Sequence, residues 1–353
     1  MSKIFREFLK KVGSGTHTGE NLEREEAAIA TRMMLLGEAT PAQIGAFMIA
    51  HRIKRPTGAE LAGMLDAYDE LGPKLEAVTS KFGQRLLVLG SPYDGRSRTA
   101  PLSPLTALIL ATAGVGVILH GGDRMPTKEG LPLLEVWQSL GVDWSHVSLP
   151  QVQQILSATG IGFVYLPKHF PLAQTIVTYR EEIGKRPPFA TLELMWCPYA
   201  GVAEVISGFV HPPTEIMMRE AYRLRGATSA SVVPLTTIKG LEGSCDLPRE
   251  RTAIIGLSSP HESLLERLRL HPQEYGVGGK NPNLEEANPE TMQAVLRGEP
   301  SELMLSVLWN AGFYLWRSGV ASDLSAGMAK AKLLLQEQLV RDKLTELQNT
   351  VGK

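Results

Sequence analysis

The sequence predicts an α/β fold, with a small N-terminal helical domain beside a large α/β domain built on a mostly parallel central sheet. Three observations lead there. The first 75 or so residues hold only helical patterns, apolar runs of strand length begin at residue 85, and strands then alternate with helices. Continuous apolar strands separated by helices imply a parallel sheet covered on both faces. A chain of 353 residues has room for one large domain and a smaller one.

Each element has a local reason. Thr40-Pro41-Ala42-Gln43 reads as a helix start, with Thr40 as N-cap, Pro41 at the first helical position and Gln43 closing a capping box. Ile44, Phe47 and Met48 follow at helical spacing, and Pro56 ends that helix because proline disfavours helical geometry in the residue before it. Thr57-Gly58-Ala59-Glu60 repeats the box ahead of the apolar stripe Leu61, Met64, Leu65 and Tyr68, which Gly72-Pro73 closes. Strands are expected at 85–89, 115–119, 162–166, 204–210, 230–235 and 252–257. Helices are expected at 103–113, 130–140, 150–158, 170–183 and 213–225. Ser103 reads as the N-cap of the first of these, and Ser148-Leu149-Pro150-Gln151 is a further capping box. Residues 258–300, rich in proline and asparagine, read as long loops, and the last 50 or so residues are helical again.

Composition narrows the class. With 43% hydrophobic and 21% charged residues and a net charge of -1, the chain reads as an ordinary globular protein. Nothing global draws it to nucleic acid, so such binding would need a local basic patch. Cys197 and Cys245 can make neither a disulfide framework nor a four-ligand zinc site on their own. No apolar run reaches the roughly 18–20 residues that span a bilayer. The opening Met1-Ser2-Lys3-Ile4-Phe5-Arg6-Glu7 has an early acid and no apolar signal core, so a cytoplasmic location is expected.

Two glycine-rich, basic loops follow the first two strand runs. Leu86–Leu89 leads into Gly90-Ser91-Pro92-Tyr93-Asp94-Gly95-Arg96-Ser97-Arg98-Thr99, and Val115–Leu119 leads into His120-Gly121-Gly122-Asp123-Arg124-Met125-Pro126-Thr127-Lys128-Glu129-Gly130. In open α/β sheets ligands bind outside the carboxyl ends of the strands. Glycines let backbone amides approach an anion, and arginine or lysine neutralises it. Arg96, Arg98, Arg124 and Lys128 therefore read as an anion-binding cluster, with solvated loop charges as the plain alternative. Asp94 and Asp123 read as loop caps. His120 either polarises an acceptor or caps a strand end, and Arg180 either binds a ligand or pairs with Glu181 or Glu182. Cys245 reads as an inert thiol, and the Met33-Met34 and Met217-Met218 pairs as core filling.

With the loops placed, the chain resembles the anthranilate phosphoribosyltransferase family, which joins phosphoribosyl pyrophosphate to anthranilate. Further anchors are Phe163-Val164-Tyr165-Leu166-Pro167-Lys168-His169, Tyr179-Arg180-Glu181-Glu182-Ile183-Gly184-Lys185-Arg186, the turn Lys239–Leu247 and Asn310-Ala311. The resemblance implies a helical domain over 1–78, joined by helices from about 150–185, and an α/β domain over 79–149 and 186–353. It further implies a cleft between the domains and a homodimer through the helical domain. Phosphoribosyl or phosphate binding is expected at Gly90, Asp94, Gly95, Arg96, Arg98, Ser103, Arg124 and Lys128. Acceptor binding is expected at His120, Gly121 and Arg180, and one magnesium ion at Glu242 and Asp246.

Several family motifs are altered here. The family's Gly-Thr-Gly-Gly-Asp-Gly is Gly90-Ser91-Pro92-Tyr93-Asp94-Gly95, and proline removes an amide donor while tyrosine adds bulk. The family's Lys-His-Gly-Asn-Arg is Leu119-His120-Gly121-Gly122-Asp123, and its metal turn carries Cys245 in place of the first of two acids. Glu193 stands at a family glycine, where a carboxylate would repel the acceptor's own. The expected function is therefore phosphoribosyl transfer to an aromatic or nitrogenous acceptor rather than ordinary anthranilate chemistry. The transition state would be oxocarbenium-like, with negative charge on the leaving pyrophosphate. A paralogous branch of the family lacks these motifs and binds nucleic acid, so the alternative is a non-catalytic homodimer holding single-stranded nucleic acid in basic clefts.

Overall fold

The computed structural model describes residues 3–15, 18–79, 82, 86–226, 234–258 and 266–352. Four helices come first: α1 (Lys3–Gly13), α2 (Arg24–Leu35), α3 (Pro41–Lys54) and α4 (Gly58–Leu71). The first two expected capping boxes form. The Gln43 amide donates to Thr40 Oγ1 at 3.3 Å while Gln43 Oε1 accepts from the Thr40 amide at 3.0 Å. Thr57 and Glu60 make the same exchange at 3.2 and 2.7 Å. The helix before Pro56 stops at Lys54, and Arg55 takes a left-handed φ of 66°.

The sheet then builds from β1 (Leu86–Leu89), α5 (Ser103–Thr112), β2 (Gly116–Gly121), α6 (Leu133–Ser139), α7 (Leu149–Thr159) and β3 (Ile161–Tyr165). Next come α8 (Leu166–His169), α9 (Pro171–Ile183), α10 (Phe189–Leu192), β4 (Ala203–Gly208), α11 (Pro212–Gly226), β5 (Leu235–Ile238), β6 (Ala253–Ser258) and β7 (Glu266–Leu270). Helices α12 (Pro289–Leu296), α13 (Glu302–Arg317), α14 (Leu324–Gln336) and α15 (Leu339–Val351) complete the chain. Among the described residues the sheet has seven strands in the order β3-β2-β1-β4-β5-β6-β7. The five from β3 to β5 run parallel, and β6 and β7 add on antiparallel. β1, β2 and β3 are buried along their whole length, as strands covered on both faces must be. Helix α9 packs against α2 and α3, α11 packs against α4, and α7 lies on β2, β3 and α15.

Three expectations change. The strand expected at 230–235 falls mostly outside the described residues, and β5 starts at Leu235. Residues 258–300 are more ordered than long loops. Glu266–Leu270 forms the edge strand β7, with polar and apolar side chains alternating from Arg267 to Leu270. Asn288 caps α12, its Oδ1 accepting from the Thr291 amide at 2.9 Å, with Pro289 at the first helical position. Ser103 does not cap α5. Leu102 takes the cap position, and the Ser103 hydroxyl turns to Asp246 at 3.2 Å.

Candidate active site

β1 and β2 are neighbours in register, so the two basic loops leave the sheet side by side. Their backbones then join. The Gly130 amide donates to the Asp94 carbonyl at 2.9 Å, and Arg96 and Leu131 exchange amide–carbonyl bonds at 3.0 and 2.8 Å. Gly95, at φ 75°, and Gly130 are required here. A Cβ on Gly95 would fall 2.4 Å from the Gly130 backbone, and one on Gly130 would fall 2.6 Å from the Arg96 carbonyl.

A third segment reaches the pair. The turn after β5 gives Glu242 a φ of 52° and sends its carboxylate back to the first loop. That carboxylate accepts from the amides of Ser97, Arg98 and Thr99 at 3.2, 3.0 and 3.0 Å. It also accepts from Lys128 Nζ at 3.1 Å and from Arg96 Nε at 3.4 Å. Asp246 accepts from Arg96 Nη1 at 2.8 Å, the Leu102 amide at 3.1 Å and the Ser103 hydroxyl at 3.2 Å. Burial works to raise the Glu242 carboxyl, but Arg96, the loop amides and Lys128 outweigh it and hold it well below the usual carboxylate range.

This arrangement relocates the expected phosphate residues. Gly90, Gly95, Arg96 and Ser103 are buried behind the surface. Asp246 takes the N-terminus of α5, where an anion would otherwise sit. Arg124 turns away and pairs with Glu135 at 2.6 Å. Asp94, Arg98, Lys128 and Glu242 instead line a cavity of about 320 Å³ with Arg186, His211 and Thr214. Arg98 projects into solvent with its side chain 78% exposed, 3.9 Å from Glu242, and Arg186 pairs with Asp94. Arg186, His211 and Thr214 were missed in the sequence. His211 and Thr214 follow the apolar run of β4, so the strand-end rule that singled out the first two loops extends to them.

The expected acceptor residues are closed in. His120 is buried at the end of β2, and its Nδ1 lies 2.6 Å from the Tyr93 hydroxyl. Burial lowers its pKa to about 4, against a backbone contact from Trp196, so the ring is neutral. Gly121 is buried beside it. Arg180 does not face the cleft and does not pair with Glu181 or Glu182. It lies 1% exposed in the core, donating from Nη2 to Glu193 and from Nη1 to Met125 Sδ at 3.0 Å. Burial pushes the Glu193 carboxyl up to about 7, against the pull of Arg180 and with Asp94 adding to the rise. Asp123 accepts from the Tyr165 hydroxyl at 2.8 Å. Burial raises the Cys245 thiol to about 12, with the Asp246 charge adding to it, so it is unreactive at neutral pH.

The expected magnesium site does not fit its residues. Magnesium needs an octahedral set of oxygen ligands at roughly 2.0–2.1 Å, while Arg96 already bonds both Asp246 and Glu242. Each oxygen of the two acids also accepts from an amide or hydroxyl of residues 97–103. Among the described residues no three His, Cys, Asp or Glu side chains gather to hold a metal ion, and no helix is long and apolar enough to cross a membrane.

The same architecture occurs in known proteins. An anthranilate phosphoribosyltransferase from Azorhizobium caulinodans is 29% identical over 348 residues, covering 97% of this chain and 95% of that one. One from Paracidovorax citrulli is 28% identical over 323 residues, 90% of this chain and 89% of its own. The crystal structure of the Thermus thermophilus enzyme matches with a TM-score of 0.78 at 23% identity over the full length of both chains. The Saccharomyces cerevisiae enzyme in complex with PRPP and Mg matches with a TM-score of 0.79 at 16% identity, covering 99% and 98%. The helical bundle domain of the glycosyl transferase family matches residues 6–72 and its α/β domain matches residues 94–337; the chain belongs to that family.

Proposed function

We propose that this chain takes phosphoribosyl pyrophosphate in the cleft at the ends of β1 and β4. It transfers the phosphoribosyl group to an aromatic or nitrogenous acceptor that carries no carboxylate. One observation carries the reading: Arg98, Lys128, Arg186 and His211, from separate segments, line one cavity of about 320 Å³ at the carboxyl ends of the strands. In the transfer, an acceptor nitrogen bonds to the anomeric carbon as the bond from that carbon to the pyrophosphate oxygen breaks, and the nitrogen's proton passes to solvent. Arg98 and Lys128 stabilise the charge that grows on the leaving pyrophosphate. The names of the relatives support this reaction class. The acceptor restriction rests on Arg180, whose charge is committed to Glu193.

Calorimetry with phosphoribosyl pyrophosphate tests the binding, and detection of released pyrophosphate with a panel of heterocyclic amines and anthranilate tests the transfer. Binding that weakens in Arg98→Ala and Lys128→Ala, with turnover of a non-carboxylate acceptor, is expected. Absence of heat overturns the reading, and anthranilate turnover equal to the best amine overturns the acceptor restriction. Single-stranded DNA bound through Arg98 and not displaced by phosphoribosyl pyrophosphate would assign the cleft to nucleic acid.

We also propose a homodimer through the helical domain. An apolar furrow of about 780 Å³, lined by Val12, Ala46, Ile49, Ile53 and Ile183, supports it, with Ile53 itself 68% exposed. Sedimentation of Ile53→Glu as a monomer is the expected result.

A further inference from the structure

We propose that Arg96 is a resident cation of this site, and that Asp246 and Glu242 hold it in place of a divalent metal ion. The observation is one of geometry. Arg96 is 3% exposed, and its guanidinium spans the two acids, with Nη1 on Asp246 at 2.8 Å and Nε on Glu242 at 3.4 Å. Two further protons are used as well: Nη1 reaches the Ser244 hydroxyl at 2.7 Å and Nη2 donates to the Thr99 hydroxyl. A guanidinium keeps its charge at every accessible pH, so two buried carboxylates have a permanent counter-ion.

The loop that carries this side chain is held in place. Its backbone is tied in both directions to Leu131, at 3.0 and 2.8 Å, and the close Gly95–Gly130 contact fixes the loop on the other side. For the acids to ligate a metal, Glu242 would have to release the amides of Ser97, Arg98 and Thr99, and Asp246 those of Leu102 and Ser103's hydroxyl. Those bonds anchor the first loop and the start of α5. Moving the acids onto a metal would therefore dismantle the wall of the anion cleft.

The functional consequence, which rests on the proposed use of the cleft by a pyrophosphate-bearing ligand, is binding that does not depend on divalent metal. Arg98 and Lys128 are already positioned on the cleft side of Glu242, at 3.9 and 3.1 Å. They meet the anion directly, with Arg96 balancing the acids behind them.

Two measurements test this on the full chain. The first is electron paramagnetic resonance with manganese(II). No bound ion is expected, or only one that survives Asp246→Asn and Glu242→Gln; a bound ion that those substitutions abolish overturns the inference. The second is calorimetry with inorganic pyrophosphate in chelator and in magnesium. Affinities within about threefold of each other are expected, and binding seen only with magnesium overturns the inference. No binding in either medium counts against the proposed function instead, and the manganese result then decides the role of Arg96.

Discussion

Arg96 and Arg180 are both almost wholly buried, at 3% and 1% exposed, and they live in opposite circumstances. Arg96 has two acids and two hydroxyls around it, and every oxygen of those acids is hydrogen-bonded. Arg180 has one acid and a thioether, and both Arg180 Nε and Glu193 Oε2 are buried with no hydrogen-bond partner among the described residues. The titration of the acids follows. Glu242 is held below the usual carboxylate range despite its burial, while burial drives Glu193 up to about 7. A buried charge is cheap only where its whole shell is filled. The first cluster therefore acts as scaffold, and the second sits close to neutralising itself.

The largest expected effect comes from breaking the filled cluster. Arg96→Ala strands two buried carboxylates and should cost about 3–5 kcal/mol in urea unfolding. A loss near that of a surface substitution would show that solvent reaches the acids.

The next effect is in pH dependence. Glu193 has a folded value of about 7 above its ordinary 4.5, so the folded chain holds an extra proton between them. Its contribution is greatest below pH 4.5, falls as pH rises to 7 and is flat above, on the order of 3 kcal/mol. Comparison with Glu193→Gln isolates this slope, and parallel curves from pH 5 to 8 would refute it. Glu242 has the opposite sign, because its folded value is lowered. Its stabilisation is present above the ordinary carboxylate range and lost on acidification.

Arg180→Met should cost less than Arg96→Ala, about 1–3 kcal/mol, since Glu193 can take up a proton once its partner is gone. Adding Glu193→Leu should recover most of that loss. If the single variant equals Arg96→Ala, the two clusters are alike after all. Smallest is Arg98→Ala, whose exposed side chain should shift stability by under about 0.5 kcal/mol while still weakening pyrophosphate binding.

Much of the fold was legible because its signals are local. Thr40, Thr57 and Ser148 each name a helix start through their own hydroxyl, and all three capping boxes form. The fully buried strands β1 to β3 declare themselves as unbroken apolar runs. β7 did not, because an edge strand with one wet face reads Glu-Arg-Leu-Arg-Leu. Asn288-Pro289 looked like a loop because the pair that starts a helix also populates turns. The site was legible as a place more than as a set of roles. Sequence put Arg96, Lys128, Glu242 and Asp246 near each other, but pairing is a matter of distances between segments some 150 residues apart. Arg180 shows the same limit. Its neighbours Glu181 and Glu182 were the obvious partners, yet the helix turns them outward and Glu193 arrives from beyond α10.

The glycine contact between the two loops has a mechanical consequence. Gly95 and Gly130 lie so close that neither can gain a methyl group without pushing the other loop away. The loops are thus spliced into one plate by backbone contact. A ligand arriving at Lys128 pulls on the same rigid piece that carries Arg96. Gly130→Ala, though it touches no charge, would shift the guanidinium against its acids, so the most informative lever on the electrostatics of this site is an uncharged residue.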